Sequence, residues 1–381
     1  MVAVVTAWLL TGKENRKVDG KFISGKEKTL SSLCALYAKW GFKQYKMSKF
    51  EQYDLYAKNK DFLISENVIT FTDTDGRLMA LKPDVTLSII KNGKDGEDLS
   101  KVYYNEHVYR VSKGTGSFKE FTQVGLECMG KLDDYALSEV IFLASKSLES
   151  VSEDYVLDLS HLGIVNGVLD AFNISEIGKK KIVEFLGEKN AHGVGGVCES
   201  EGLDDAQTET VKKLVTVYGG KEKVFSELEK INVSEQTDTA IKQLKNVLNA
   251  LSALGVGDKI RIDFSVVSDT NYYNGLVFKG FISGIPVAII SGGQYDNLMQ
   301  KFKRRDRAIG FAVYLDELEK LINVKPEYDV DVVLEYADEK DVVKINQAVK
   351  GITDLGESVF ACVKAPANLK YKRLVQLKEI K

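Results

Sequence analysis

The feature that most limits how this chain can fold is a pair of long β-patterned runs, Lys101 to Val111 and Phe118 to Gly130. Only six residues join them, Ser112-Lys113-Gly114-Thr115-Gly116-Ser117. Two such runs across so short a link pair with each other as a long antiparallel hairpin. Around it, Leu30, Leu33, Cys34, Tyr37 and Trp40 recur at helical spacing ahead of Gly41, predicting an amphipathic helix over 26–40 with a left-handed cap. Phe42 to Met47 reads as extended. Residues 68–73 and 77–81 flank the hairpin signal Asp75-Gly76. Pro83 then stops the second strand, with Asp84 or Thr86 as the cap of a short helix.

A helix over 133–151 closes this half. Residues 174–254 are helical and Lys/Glu-rich with no strand pattern, as expected of a helical insertion. Strands follow at 259–264, 276–281, 286–290 and 308–315, with a helix from Tyr295. Pro326 separates a main domain, 1–325, from a tail, 326–381, that reads as strand 329–335, helix 338–352 and strand 358–363. The expected fold class is α/β of the α+β kind: an antiparallel sheet flanked by helices, with a helical insertion and a small C-terminal α/β unit.

At 381 residues one core does not serve the whole chain. The 52 basic and 55 acidic residues give a net charge of −3, which supplies no global field for a polyanion and argues against general nucleic-acid binding. Cys34, Cys128, Cys198 and Cys362 lack C-x-x-C spacing, so we expect reduced thiols in a cytoplasmic chain and no metal site. The apolar stretch Met1 to Leu10 has no basic flank and is too short to span a bilayer; it reads as a first strand. His192-Gly193-Val194-Gly195-Gly196 lacks the G-K-S/T ending of a phosphate loop and reads as a flexible link. Lys303-Arg304-Arg305-Asp306-Arg307 reads as a solvated loop. His107 and His161 have no ligand-spaced partner.

Chemistry concentrates on the second hairpin strand. Side chains alternate along it, so Phe121, Gln123, Gly125, Glu127 and Met129 share a face. Gln123 and Glu127 stand about 13 Å apart along the strand with a glycine between them. Asp84 and Thr86 end one neighbouring strand, Arg110 ends another, and Tyr272-Tyr273 opens a third. Carboxylates suit an ammonium or imidazole group, an arginine suits a carboxylate, and tyrosine hydroxyls add orientation. The set matches an amino acid, with no cofactor implied.

The ordered motifs K-P-D-V-T (82–86), V-Y-R (108–110), F-T-Q-V-G-L-E (121–127), N-Y-Y-N-G-L-V-F (271–278), S-G-G-Q-Y-D (291–296) and A-I-G-F-A (308–312) resemble the histidyl branch of class II aminoacyl-tRNA synthetases over about 26–322. Within that branch P-D-V-T and E-F-T-Q-V-G-L-E are similar to the ATP phosphoribosyltransferase regulatory-subunit family rather than to the synthetases. The departures point the same way. Ser268 stands where the synthetases carry an activating arginine, Ser112 where they carry an adenine-recognising glutamate, and Glu317 where they carry a phosphate-binding arginine. Each of the two missing arginines removes roughly 3 to 4 kcal/mol of transition-state stabilisation. Ser48 replaces the motif 1 proline of the dimer interface, and the tail resembles only the first part of an anticodon-binding domain.

The resemblance implies a chain without catalytic residues that binds histidine, forms a homodimer, and assembles with a short catalytic subunit of ATP phosphoribosyltransferase. It places Glu127 and Tyr272 at the imidazole end, Asp84, Thr86 and Gln123 around the α-amino group, Arg110 toward the carboxylate, and Tyr273 at the border. The alternatives are a working histidyl-tRNA synthetase and a stand-alone amino-acid-binding paralogue.

Overall fold

The structure is a computed structural model of the chain, and it describes residues 24–60, 67–93, 99–112, 115–266, 272–318, 327–337 and 341–377. The expected strand at Met1 to Leu10 and the boundary at Pro326 lie outside these residues. The chain divides into two units, one of residues 29–319 and another that includes 320–381.

The strands of the first unit are β1 Lys43–Gln44, β2 Phe50–Gln52, β3 Thr70–Thr72, β4 Leu78–Leu81, β5 Leu99–Val111, β6 Phe118–Gly130, β7 Tyr155–His161, β8 Tyr218–Gly219, β9 Ile260–Asp263, β10 Leu276–Ile282, β11 Ile290–Gln294 and β12 Arg307–Tyr314. Nine of them form one sheet in the order β1-β5-β6-β12-β11-β10-β7-β9-β8, and β2-β4-β3 form a small separate one. The large sheet is antiparallel except at β1–β5 and β7–β9, where the pairs are parallel, so the expected antiparallel sheet is in fact mixed. The long hairpin is β5–β6, in register Tyr104 with Gly125 and Val102 with Glu127.

One sheet face is apolar. Val124, Leu126, Cys128, Phe278, Phe311 and Leu159 are buried, each stabilising the fold by roughly 1.5–3 kcal/mol where the side chain is large. Helices Gly25–Lys39 and Asp134–Glu149 carry buried faces of their own: the Tyr37 ring meets Phe311 edge-on at 5.9 Å, and its hydroxyl reaches Ser147 Oγ at 2.8 Å. Gly41, at φ +83°, ends the first helix as its position predicts. The other face carries Gln123, Gly125 and Glu127.

Between β7 and β9 the insertion comprises helices Glu176–Gly187, Ala191–Ser200, Asp205–Thr216, Lys221–Lys230 and Glu235–Ala253. Two expectations change here. The two-residue β8 pairs with β9, so the insertion does contribute a strand. The glycine-rich run 192–196 is not a flexible link but lies inside a helix. Asn190 caps that helix by accepting from Gly193 N–H at 2.8 Å, and a Cβ on Gly193 would stand 2.8 Å from the Phe185 ring, so the glycine permits close helix packing. Among the described residues no helix is long and apolar enough to cross a membrane.

The second unit contains β13 Val330–Glu335, helix Val342–Asp354, β14 Val359–Cys362 and β15 Tyr371–Gln376, a parallel sheet in the order β14-β13-β15. Val332, Leu334, Ala348, Ile352 and Leu377 form its core.

Candidate functional site

Glu127 lies on β6 opposite Gly310 of β12, which in turn pairs with Gly293 of β11. Both glycines are required. A Cβ on Gly310 would sit 1.6 Å from Glu127 Oε2, and one on Gly293 would sit 2.7 Å from the Tyr273 ring. The missing side chains therefore leave the space into which Glu127 and Tyr273 lean.

The carboxyl of Glu127 is 2 % exposed and held from both sides. Thr86 Oγ1 donates to Oε1 at 2.9 Å and the Tyr295 hydroxyl donates to Oε2 at 2.6 Å. Burial pushes its pKa up to about 8; the two hydrogen bonds pull it down, and the nearby Asp84 charge raises it further. Thr86 is the first residue of helix Thr86–Asn92, and Tyr295 is the N-cap of helix Asp296–Lys301.

Asp84 Oδ1 accepts from Leu87 N–H at 2.8 Å, and its Oδ2 lies 3.9 Å from the Arg110 guanidinium. Burial raises the Asp84 pKa, with Arg110 opposing it. Arg110 Nε donates to the Pro83 carbonyl at 2.5 Å, which fixes the K-P-D-V-T turn to the end of β5. Lys82, wholly buried at the start of that turn, pairs with Glu106 at 2.8 Å. The Tyr272 ring stands 4.7 Å from Tyr273 and 5.9 Å from Tyr295, so the tyrosines wall the space above Glu127. Gln123 is buried.

Asp84, Thr86, Glu127, Tyr272 and Tyr273 thus lie close together, with Arg110 beside Asp84. Gly125, between Gln123 and Glu127, is paired in regular register and its missing side chain leaves no open space. The Tyr104 hydroxyl comes within 2.5 Å of where its Cβ would stand, and the Phe311 carbonyl within 2.2 Å. Sequence reasoning leaves Tyr295 and Tyr104 out of the site. The clue to Tyr295 is the glycine pair Gly292-Gly293 just before it, which clears the strand it follows.

Two of the departures from the synthetase pattern lie within the described residues. Ser112 N–H donates to Ser117 O at 2.8 Å and closes the β5–β6 turn. Glu317 is exposed, while its neighbour Asp316 accepts from Thr122 N–H at 2.7 Å. Ser268 lies outside the described residues. His107 sits 3.4 Å from Glu120, and buried His161 is pushed down to about 4 by desolvation. Among the described residues no group of His, Cys, Asp and Glu is arranged to hold a metal ion.

The histidyl-tRNA synthetase family profile matches residues 17–318. The chain belongs to the histidyl-tRNA synthetase family. Within the family it is similar to proteins named ATP phosphoribosyltransferase regulatory subunit. One from Caldanaerobacter subterraneus subsp. tengcongensis is 28% identical over 74% of this chain and 75% of its own length. Another, from Clostridium kluyveri, is 27% identical over 83% and 81%. Among solved structures, an ATP phosphoribosyltransferase regulatory subunit/histidyl-tRNA synthetase from Bacillus halodurans has the same fold, with a TM-score of 0.78 and 23% identity over 92% of this chain and 93% of that one. An ATP phosphoribosyl transferase (HisG:HisZ) complex from Thermotoga maritima aligns at a TM-score of 0.59 and 17% identity, over 75% of this chain and 96% of that one. The family fold is the class II synthetase fold, as the ordered motifs imply.

Proposed function

We propose that this chain is a non-catalytic regulatory subunit of ATP phosphoribosyltransferase that binds histidine and sets the activity of a short catalytic subunit in the cytoplasm. The observation that carries the reading is Glu127, a buried carboxyl held by two hydroxyls and walled by tyrosines. Such a group accepts an imidazole N–H once it ionises. Glu127 and Tyr272 take the imidazole end, Asp84, Thr86 and Gln123 the α-amino group, and Arg110 faces the carboxylate. Tyr273 closes the side over Gly293. The exposed carboxylate of Glu317 in place of a phosphate-binding cation supports the absence of nucleotide activation.

Dimerisation is assigned to the surface beside Ser48, where Phe50 and Phe71 meet edge-on at 5.5 Å while 46 % and 38 % exposed. The names of the regulatory-subunit relatives and the two-component complex support a catalytic partner.

The test is to mix the chain with a short catalytic subunit and follow product formation from ATP and phosphoribosyl pyrophosphate, with and without histidine. Stimulation by the chain and a response to histidine are expected. Calorimetry of histidine on the chain and on Glu127→Ala checks the site, and equal heats would remove Glu127 from it. Histidine-dependent ATP/pyrophosphate exchange should stay at background; a robust exchange rate would make the chain a synthetase.

A further inference from the structure

The two short helices that reach Glu127 also end together. Thr86 opens helix Thr86–Asn92 and Tyr295 caps helix Asp296–Lys301, and their hydroxyls hold the two carboxyl oxygens of Glu127. At the far end of the first helix, Arg304 NH1 donates to the Ile90 carbonyl at 3.2 Å, and a Cβ on Gly93 would stand 2.5 Å from that nitrogen. At the far end of the second, Arg304 N–H donates to the Met299 carbonyl at 3.0 Å and Lys303 N–H to Gln300 at 2.8 Å. Leu87, Ile89, Ile90, Leu298 and Met299 lie in one buried cluster, so the helices move as a pair.

The loop 302–307 is therefore tied to the pocket at one end of a rigid pair about 10 Å long. It is tied back as well. Arg304 NH2 meets Asp306 at 3.1 Å, and Asp296 accepts from Arg307 Nε at 3.2 Å and from Ala308 N–H at 2.9 Å. Asp296 N–H in turn donates to Asn274 Oδ1, beside the pocket tyrosines, at 2.9 Å. Lys303 holds the left-handed backbone, φ +59°, that turns the chain here. While Arg304 is buried, Lys303 and Arg305 are exposed and make no ion pair among the described residues.

A ligand N–H that donates to Glu127 competes with the Thr86 and Tyr295 hydroxyls for its two oxygens, and displacing either hydroxyl shifts the helix pair and the loop at its far end. We propose that loop 302–307 is the surface that presents the state of the pocket to an acidic face of the phosphoribosyltransferase chain, with Lys303 and Arg305 as the contacting cations and Arg304 as the positioning residue. The proposal rests on the histidine-binding reading above and names its output. A ligand shifts such an equilibrium only by its differential affinity for the two arrangements, and the competing hydroxyls supply one.

The test uses the whole chain with the catalytic subunit. Amide hydrogen exchange of residues 302–307 should slow tenfold or more with saturating histidine, and in Arg304→Gln this response should vanish while the histidine affinity changes less than about threefold. The double variant Lys303→Glu/Arg305→Glu, confined to exposed side chains, should weaken association with the catalytic subunit at least tenfold and leave the histidine heat within twofold. The proposal is overturned if the charge-reversed chain associates like the parent, or if loop exchange ignores histidine that binds with full heat. A parent chain giving no histidine heat would end the ligand reading instead, and the charge-reversal arm would still decide the docking surface.

Discussion

A carboxyl group shut inside a pocket between two hydroxyls resists ionisation, and the whole chain feels it. Glu127 has its pKa raised from 4.5 to about 8, so between those values the folded state holds a proton that the unfolded state has lost. Its effect on stability is therefore absent below about pH 4.5 and increasingly destabilising as pH rises toward 8. Glu127→Gln keeps an acceptor for Thr86 or Tyr295 and removes the titration, so its melting temperature relative to the parent should climb with pH across that window; parallel curves would contradict the raised pKa. Gly310→Ala places a methyl where Oε2 stands and should cost roughly 1–3 kcal/mol or more by overpacking, read in the denaturant midpoint, together with loss of histidine heat. Glu127 and Gln123 were legible because side chains alternate strictly along a strand. Tyr295 was not, because it joins the site only through the β11–β12 register, which brings Gly293 beside Gly310 and clears the space above.

Elements reveal where local pattern misleads. The segment Ser291-Gly292-Gly293-Gln294 has little intrinsic strand preference, so the expected strand at 286–290 falls short of β11 at Ile290–Gln294. Tertiary closeness decides it: a Cβ on Gly292 would stand 2.4 Å from the Gly310 carbonyl, a distance only a glycine strand tolerates. β7 and β15 lie in stretches with no assigned element, β7 because a strand that runs straight into helix Leu162–Ala171 has no turn residues to announce it. Where that helix begins, His161 Nε2 lies 3.0 Å from Gln243 Oε1, Gln243 Nε2 donates to Asp134 at 3.2 Å, and Asn246 adds a bond to Asp134 at 2.8 Å. These bonds fasten the last insertion helix to the end of β7 and to the start of helix Asp134–Glu149. Gln243→Leu leaves the buried ring N–H without its acceptor and should cost roughly 1–3 kcal/mol by chemical denaturation. Because the His161 pKa falls from 6.5 to about 4, the unfolded chain binds the extra proton in that interval, and stability from this group declines as pH drops through it.

For the molecule as a whole, the order of the motifs carried the family and the fold, while the charge balance carried less. A net charge of −3 gives no long-range pull toward an acidic partner. Any such contact through Lys303 and Arg305 is local and exposed, so association should weaken steadily between low and physiological ionic strength, measured by sedimentation or light scattering; indifference to salt would point to another surface. The basic run 303–307 reads as ordinary solvated chain in the sequence, because nothing in the order of its residues tells that Arg304 turns inward to meet the helix end at Ile90, 214 residues earlier in the chain.

The protonated carboxyl at the pocket floor also makes the solvent a participant. Near neutral pH most empty molecules carry that proton, and a ligand that requires the ionised form must drive it out. Heats recorded in Tris should accordingly be more exothermic than those in phosphate at the same pH, the difference reporting how many hydrogen ions leave per histidine captured.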